Sequence, residues 1–368
     1  MKDPQLSPDI LSGAGPGSQV MGSAIVVCAL AALVMVGSCG RTTRSVSPDP
    51  GGSERRGESA LKNFHAKKPH PPHPNPGPGP SPGPGPGPGP GDSSEVFVGA
   101  GDIAGSGSGD EATAELIDQI PGTVFTSGDN VYPDGTSSEY TQYYAPTWGR
   151  FRARTRPAPG NHDYNTSGAT GYYNYFGSSA GPSGRGYYSY NIGDWHIISL
   201  NSNINMSAGS PQETWLRADL ADNPTLCTLA YWHHPRFSSG SHGSSTASIA
   251  LWQDLYNAGA EIVIVGHDHN YQRFAPQTAN GQLDRDWGIR EFVVGTGGES
   301  HYQFNSPIAN TEAYNCDTFG VLKLELAPGS YRWQFIPVNG KTYTDSGSGT
   351  CHSAAEPWEI YAGAGQRP

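Results

Sequence analysis

The chain has 368 residues, of which 50 are Gly and 32 are Pro, and its formal net charge is −11. This negative charge argues against nucleic acid, or an anionic membrane surface, as the main partner. It does not exclude a phosphate ester as substrate, because metal ions within one pocket can reverse the local sign of the charge.

The first 40 residues contain the only long apolar run of the sequence, AIVVCALAALVMV at positions 24–36. A short apolar run near the N-terminus is typical of a secretory signal, although its length approaches the lower limit for a membrane span. We therefore expect residues 1–40 to be a signal peptide or membrane anchor, and the protein to be extracytoplasmic, either secreted or anchored at the cell surface. VGSC, ending at Cys39, loosely resembles a lipoprotein cleavage site, so lipid attachment is one of the open alternatives.

Residues 41–93 form a Pro- and Gly-rich segment that includes HPPHPNPGPGPSPGPGPGPGPG. Pro and Gly disfavour both helix and sheet, and the segment has almost no apolar side chain to bury. We expect a disordered tether that holds a folded domain away from a surface.

From residue 94 the composition becomes that of a folded domain, which we expect to end at residue 340 and to be followed by a C-terminal tail, 341–368. Three cysteines lie in these two segments, at Cys227, Cys316 and Cys351. An exported protein can join two of them in a disulfide, and the sequence does not choose among the three pairings.

Short apolar runs recur along the expected domain. EVFVGAGD, GTVFTSGDN, TRPAPGNHD, CTLAYWHHP and AEIVIVGHDH are mostly rich in β-branched or aromatic residues and bounded by Gly or Pro, which predicts strands. Later runs such as GVLKLEL and SYRWQFIP resemble antiparallel additions to a sheet. The order indicates a mixed α/β fold.

Helices are predicted between the strands. In SGDEATAELIDQIP the apolar residues that share one helical face are Ala112, Leu116 and Ile120. A second helix begins with Ser210 as N-cap and Glu213 completing a capping box, and a third ends at Gly259.

The polar residues that follow five of the predicted strands can all bind metal. They are Asp102, Asp129, Asn161, His233 and the pair His267 and His269. In open α/β sheets, sites form beyond the carboxyl ends of the strands, so we expect these side chains to converge. A single strand-end Asp is usually a turn residue, but the two imidazoles of GHDH are costly to bury without partners.

In this order, GD, GDNVY, GNHD, a His-bearing strand end and GHDH resemble the calcineurin-like metallophosphoesterases, across residues 96–274. The subtype is most similar to the purple acid phosphatases. Ala104 stands where the broad family usually has a metal-binding His, and Tyr132 stands where it often has Asp. The purple acid phosphatases show both changes and use a tyrosinate. The resemblance implies a four-layer sandwich of two mixed β-sheets flanked by helices.

The resemblance also implies ligands for two metal ions. The first ion would be held by Asp102, Asp129, Tyr132 and His269. The second would be held by Asp129, Asn161, His233 and His267, with Asp129 bridging the two. Carboxylate and phenolate suit Fe(III), and an amide with imidazoles suits a divalent ion such as Fe, Zn or Mn. In WHHP the family pattern favours His233 over His234 as the ligand.

Two cations about 3.5–4 Å apart can activate a bridging water and stabilise charge on phosphoryl oxygens. We therefore expect an exported phosphatase that hydrolyses small phosphomonoesters by attack of a metal-bridging hydroxide. His162 is the candidate proton donor to the leaving group, with Asp163 keeping its ring charged and oriented. His242 lies where purple acid phosphatases often carry a substrate-facing histidine.

Two other functions remain open at this stage. One is a phosphodiesterase or nucleotidase on the same metal core, which the loops at residues 236–246 and 295–310 would distinguish, with Arg236 as a contact for a second anionic group. The other is a non-catalytic surface module that binds metal or phosphate. The complete ligand set together with His162 argues against the second alternative.

Overall fold

The computed structural model describes residues 94–225 and 227–352. The expected signal or anchor (1–40), the expected tether (41–93) and residues 353–368 of the expected tail lie outside the described residues. Within the two described ranges, no helix combines the length and the apolar character that crossing a bilayer requires.

The described residues form thirteen strands and six α-helices, joined by short 3-10 and π-helical turns. The strands are β1 (Glu95–Ala100), β2 (Thr123–Ser127), β3 (Thr155–Ala158), β4 (Tyr188–Ile192), β5 (Trp195–Ser199), β6 (Cys227–Tyr231), β7 (Ile262–Val265), β8 (Tyr271–Phe274), β9 (Arg290–Val294), β10 (Thr311–Asn315), β11 (Gly320–Ala327), β12 (Ser330–Pro337) and β13 (Ser346–Thr350). The helices are α1 (Gly109–Asp118), α2 (Ser137–Glu139), α3 (Asn161–Asn165), α4 (Thr170–Phe176), α5 (Pro211–Asp222) and α6 (Ile249–Asn257).

The strands form two mixed sheets. The first has the order β13-β12-β11-β1-β2-β3, and the second has the order β10-β8-β9-β7-β6-β5-β4. In the first sheet β1, β2 and β3 are parallel, and the late strands join antiparallel. In the second sheet β5, β6, β7 and β9 are parallel, and β4 and β8 flank them antiparallel. The prediction of a mixed α/β fold with antiparallel late strands is confirmed.

The two sheets pack face to face through aromatic side chains. The Tyr231 ring of β6 lies 5.9 Å from the Phe97 ring of β1 and 6.0 Å from the Phe125 ring of β2. On the second sheet, α5 and α6 bury Leu216 and Leu251 in a separate apolar cluster. With α1 packed beside the first sheet, the layers are helix, sheet, sheet and helix, as the four-layer prediction requires.

The buried face of α1 differs from the predicted one. The fully buried side chains of its middle part are Thr113, Ala114 and Ile117, whereas Ala112, Leu116 and Ile120 are only partly buried. The Thr113 hydroxyl accounts for this rotation, because it donates to the Gly297 carbonyl at 2.5 Å and accepts from Trp148 Nε1 at 3.0 Å. The centre of the buried face is therefore a hydroxyl whose hydrogen bonds are satisfied. The spacing of apolar residues alone would place the buried face on a different side of the helix.

The predicted start of α5 is confirmed, with one change in its capping bonds. Ser210 Oγ accepts a hydrogen bond from Glu213 N at 3.2 Å, and Pro211 occupies the first turn. The Glu213 carboxylate accepts from Gly209 N at 2.9 Å rather than from the N-cap residue itself.

The folded domain continues beyond residue 340, so the predicted boundary with the tail is too early. Strand β13 pairs antiparallel with β12, and Cys351 forms a disulfide with Cys227 at the start of β6. The sequence of β13, SGSGT, has no apolar alternation and therefore carries no strand signal. Asp345 holds this segment in place, because its carboxylate accepts hydrogen bonds from Arg273 Nε at 2.7 Å and Tyr271 Oη at 2.7 Å.

The acidic pair between α5 and α6 predicts a pH-dependent stability. Burial, and then the Glu213 carboxylate, raise the pKa of Asp254 to about 7, against an opposing effect of Arg217. The folded state therefore holds a proton that the unfolded chain releases near pH 4, and stability falls as the pH rises from about 4 to about 7. Asp254→Asn removes this penalty and should raise the free energy of unfolding at pH 8 by roughly 1–2 kcal/mol, after allowance for solvent screening.

Thermal unfolding of both proteins between pH 4 and pH 8 measures this effect. The gain in midpoint temperature should grow up to about pH 7 and then level off. Asp286→Asn, at an exposed aspartate, is the matched control and should show no such trend. An equal gain for Asp254→Asn at every pH would contradict the explanation by the raised pKa of Asp254.

Candidate metal centre

The carboxyl ends of β1, β2, β3, β6 and β7 meet at one edge between the two sheets. The seven side chains that the sequence predicts as ligands lie together there: Asp102, Asp129, Tyr132, Asn161, His233, His267 and His269. The convergence that strand-end position predicts is therefore present in the structure.

Continued pairing beyond β1 and β2 brings Tyr132 back beside Asp102. Ile103 N donates to Asp129 O at 3.0 Å, and Tyr132 N donates to Ala104 O at 2.8 Å. The two loops thus extend the parallel register of their strands by several residues. Ala104 is fully buried in this extension. The backbone of Tyr132 is therefore held in place, and its side chain is directed toward Asp102.

The first group of donor atoms surrounds the Tyr132 phenol. Tyr132 Oη lies 2.9 Å from Asp102 Oδ1 and 3.0 Å from both Asp129 Oδ2 and His269 Nε2. Burial, and then the charges of Asp102 and Asp129, raise the pKa of Tyr132 well above its usual value. A single phenol proton cannot satisfy both carboxylates, so ionising the phenol here requires a cation in place of that proton.

The second group of donor atoms surrounds His233 Nε2. It lies 3.0 Å from Asn161 Oδ1, and 3.2 Å from both Asp129 Oδ2 and His267 Nδ1. The other ring nitrogen of His233 lies 2.9 Å from the Ser127 carbonyl oxygen, to which it donates its proton. In a neutral ring Nε2 then presents a lone pair to three other electron-rich atoms. This set fits a cation, with Asp129 Oδ2 common to both groups.

The electrostatic balance at the second group also favours positive charge. Burial acts to lower the pKa of His233, but the Asp129 carboxylate prevails and raises it to about 9. In turn, burial opposes ionisation of Asp129, but His233 and then His162 hold the pKa of that carboxyl well below its usual value. Burial and then His233 lower the pKa of His267 to about 2, so that ring is neutral and keeps a lone pair.

The backbone around these predicted ligands is strained. Asp102, Asp129 and His267 have φ angles of 60°, 48° and 71°, in the left-handed region that non-glycine residues rarely adopt. The strain is offset by hydrogen bonds to the carboxylates: His267 N donates to Asp102 Oδ2 at 2.8 Å, and His162 N donates to Asp129 Oδ1 at 2.7 Å. Each aspartate thus binds backbone with one oxygen and presents the other to the donor groups.

His162 lies at the edge of this centre. Its Nδ1 donates to the Pro133 carbonyl oxygen at 2.6 Å, and its ring lies 4.3 Å from the Tyr132 ring. The Nε2 atom is 4.0 Å from Asp129 Oδ2, and the side chain is 30% exposed. His162 therefore presents Nε2 to the space in front of the Asp129 carboxylate.

Asp163 does not orient the His162 ring, which corrects the prediction from sequence. Its side chain is fully buried and accepts from Tyr140 Oη at 2.6 Å, Asn130 Nδ2 at 2.9 Å and Gly160 N at 2.8 Å. The Pro133 carbonyl has the orienting role instead. Asp163 connects the loops after β2 and β3 through these contacts. In α3 its side chain points away from that of His162, the preceding residue.

His242 lies beside the second group of donors. Its ring centre is 4.1 Å from that of His267, and its backbone N donates to Asp268 Oδ1 at 2.9 Å. Asp268 is fully buried, and its other oxygen accepts from the Ser238 hydroxyl. Sequence reasoning missed Asp268, although its place between the two histidines of GHDH was a usable signal. It holds the His242 loop next to the ligands.

Tyr302 was also missed, because no strand-end pattern marks it. Its ring stacks on the His269 ring at 3.9 Å with an interplanar angle of 9°. The adjacent His269 Nδ1 is 2.8 Å from Ser300 Oγ, so the loop after β9 fixes this ligand's ring from two directions.

His234 and Arg236 have positions that limit their roles. His234 Nδ1 lies 2.7 Å from Ser202 Oγ, outside the His233 group. Arg236 is 7% exposed, and its guanidinium donates to the carbonyls of Ala279 and Ser245. It supports the loop after β6, so its suggested contact with a second anionic group is not supported.

The Asp163 contacts predict the cost of losing one buried hydrogen bond. Tyr140→Phe removes the donor to Asp163 Oδ1 and should lower the free energy of unfolding by roughly 1.5–3 kcal/mol, because the acceptor is a buried carboxylate. Tyr144→Phe is the matched control, since the Tyr144 hydroxyl is buried and has no hydrogen-bond partner among residues 94–225 and 227–352. Denaturant unfolding should show a loss for the first variant and no loss for the second. Equal losses would indicate a packing effect common to both rings.

Comparison with known proteins agrees with this geometry. Residues 93–271 match the family model for calcineurin-like phosphoesterase. Purple acid phosphatase 15 of Arabidopsis thaliana is 30% identical over 225 residues, which cover 51% of this chain and 42% of that protein. Purple acid phosphatase 18 of the same plant is 25% identical, over 64% of this chain and 57% of its own length. This chain therefore spans about half the length of these relatives.

Among solved structures, the purple acid phosphatase PPD1 of yellow lupin (Lupinus luteus) shares the fold, with a TM-score of 0.57 and 21% sequence identity. The alignment covers 74% of this chain and 56% of the lupin chain. The resemblance predicted from the five sequence blocks is confirmed. Residues 93–271 therefore match the calcineurin-like phosphoesterase family model, and the chain is similar to purple acid phosphatases over part of its length.

Proposed function

We propose that this chain binds two metal ions and hydrolyses phosphomonoesters outside the cytoplasm. Asp102, Asp129, Tyr132 and His269 would hold the first ion, and Asp129, Asn161, His233 and His267 the second. The observation that carries the proposal is the pair of donor groups that share Asp129 Oδ2, one around Tyr132 Oη and one around His233 Nε2.

The chemistry of the donors supports the choice of metals. The first group contains two carboxylates and a phenol, the hard oxygen ligands that Fe(III) prefers, and the second is rich in imidazole, which suits Fe, Zn or Mn as a divalent ion. When bound, two such cations supply a nucleophile at neutral pH and neutralise charge on the phosphoryl group.

His162 supplies the proton that the leaving alkoxide needs. Because Nδ1 donates to Pro133 O, the proton that a charged ring can release is on Nε2, which faces the space in front of Asp129. The Tyr132 ring limits rotation of the imidazole. Transfer of the Nε2 proton to the leaving oxygen completes cleavage of the ester bond and leaves a neutral imidazole.

His242 and Tyr302 also border the centre, with ring centres 5.2 Å apart. His242 is exposed, so its ring is free to donate to a phosphate oxygen. Asp268 and Ser238 hold its loop in place, and this support reduces the entropy lost on binding.

Export is the second part of the proposal. The apolar run at 24–36 supports a signal or anchor, and the disulfide between Cys227 and Cys351 supports an oxidising compartment, where such bonds persist. We assign residues 94–352 to the catalytic domain, preceded by the tether at 41–93, and expect a small phosphate ester as substrate.

Replacement of His162 tests the proton-donor role. His162→Gln should lower kcat/KM for an alkyl phosphate by about 10²–10⁴-fold, and by much less for p-nitrophenyl phosphate, whose leaving group needs no proton. His242→Gln is the comparison variant and should lower kcat/KM for both substrates by similar factors, because phosphate binding is common to both. Metal content should stay the same in the two variants.

The kinetics of the metal-loaded parent also separate the open alternatives. Hydrolysis of bis-(p-nitrophenyl) phosphate in preference to the monoester would favour a phosphodiesterase. Metal and phosphate binding without hydrolysis of p-nitrophenyl phosphate would overturn the enzymatic proposal and leave a binding module.

Replacement of Tyr132 tests the identity of the first metal. A phenolate bound to Fe(III) gives a charge-transfer band in the visible spectrum, so the iron-loaded parent should be coloured and Tyr132→Phe should lose the band. Tyr302→Phe is the control, since Tyr302 stacks on His269 but offers no oxygen to the donor groups. Persistence of the band in Tyr132→Phe would refute the ligand assignment.

A further inference from the structure

Glu299 places an additional carboxylate beside the candidate metal centre. It lies in the loop after β9, where its backbone N donates to Asp102 O at 3.1 Å. The next residue, Ser300, holds His269. The backbone at this point is therefore tied to two of the proposed ligands, and the glutamate has a fixed position relative to them.

The Glu299 side chain occupies a notch that exists because residue 105 is glycine. A Cβ atom at Gly105 would overlap Glu299 Oε2. The side chain is half-buried in this notch. Its carboxylate accepts no hydrogen bond and forms no ion pair within residues 94–225 and 227–352, although most other half-buried carboxylates of the domain have such partners.

The groups around this carboxylate are those of the reaction site. Burial raises the pKa of Glu299, the imidazoles of His269 and His162 lower it, and the Asp102 carboxylate raises it. No Lys or Arg of the described residues contributes. Glu299 also acts electrostatically on Tyr302, the half-buried aromatic ring stacked on His269.

We propose that Glu299 is a specificity residue, whose carboxylate binds an ammonium group on the alcohol portion of the substrate. The preferred substrates would then be phosphate esters of amino alcohols. This inference rests on the proposed function, because it places the leaving group on the His162 side of the centre, where the leaving oxygen must lie to receive a proton.

An ammonium ion is the partner that this surface lacks. A partly desolvated carboxylate without a donor is costly, and a substrate cation satisfies it with a charge-assisted hydrogen bond. An aromatic ring next to the carboxylate adds cation–π attraction. A second phosphate or a carboxylate on the leaving group would instead be repelled by Glu299 and Asp102. Substrates with acidic leaving groups are therefore disfavoured.

Binding of phosphonates to the metal-loaded full chain tests the proposal without turnover. The probes are 2-aminoethylphosphonate, ethylphosphonate and 2-hydroxyethylphosphonate, measured by titration calorimetry. The parent protein should bind the aminoethyl compound about five- to tenfold more tightly than the ethyl compound. In Glu299→Gln this ratio should fall to about one, and ethylphosphonate should bind somewhat more tightly because a negative charge near a dianion has been removed.

Glu95→Gln is the matched control for net charge. Glu95 is exposed at the amino end of β1, the end opposite the metal centre, so this variant should keep the parent's ratio. A ratio near one in the parent, an equal weakening of all probes by Glu299→Gln, or equal binding of the hydroxyethyl and aminoethyl compounds would each overturn the ammonium assignment.

Kinetics distinguish this proposal from the proposed hydrolysis. The ratio of kcat/KM for ethanolamine phosphate over ethyl phosphate should follow the binding ratio in the parent and in Glu299→Gln. Selective binding of aminoethylphosphonate with no hydrolysis of any ester would reject the enzymatic function and keep the role of Glu299. Hydrolysis without selectivity between the two esters would reject the role of Glu299 alone.

Discussion

The constraint on which the rest of the structure depends is the placement of many lone pairs around two atoms, Tyr132 Oη and His233 Nε2. Each atom has three electron-rich neighbours within 3.2 Å, and Asp129 Oδ2 is a neighbour of both. The available protons cannot satisfy such groups, so the fold has to hold them together against their mutual repulsion. The positive φ angles of Asp102, Asp129 and His267, and the backbone hydrogen bonds to the two aspartates, are local consequences of that requirement.

Two buried carboxylates outside the centre hold the loops around it together. Asp163 connects the loops after β2 and β3, and Asp268 secures the loop that carries His242. Each follows a functional histidine directly in the sequence, yet neither bonds to a histidine ring. Because a buried carboxylate needs several donors, each collects backbone N–H groups and hydroxyls and thereby rigidifies the loops that supply them. Glu299 differs from both, because no group in the described part of the chain donates to its carboxylate, and for that reason we assign it to the substrate.

The strands and the donor residues were predictable because both depend on short-range patterns. An apolar run bounded by Gly or Pro predicts a strand, and a polar residue directly after it lies at a sheet edge whatever the remaining topology is. The buried face of α1 was less predictable, since Thr113 is buried through partners that are distant in the sequence. Strand β13 was missed because its Gly and Ser residues carry no pattern, and it is held by Asp345 and by the disulfide at Cys351.

The sequence by itself determined the order of the donor blocks and the mixed α/β class. It also showed that Ala104 stands in place of the broad family's histidine and Tyr132 in place of its aspartate. These features are local, so residue type and spacing are enough to identify them. Only the tertiary structure decided which carbonyl orients His162, that Asp163 connects two loops, and that Cys227 pairs with Cys351. It also decided that the Glu299 carboxylate lies near His269 and His162 with no hydrogen-bond or ion-pair partner among the described residues. The physical reason is that a side chain's hydrogen-bond partner depends on which distant segments the two sheets bring together. The spacing of residues along one segment does not determine which distant segment will lie beside it.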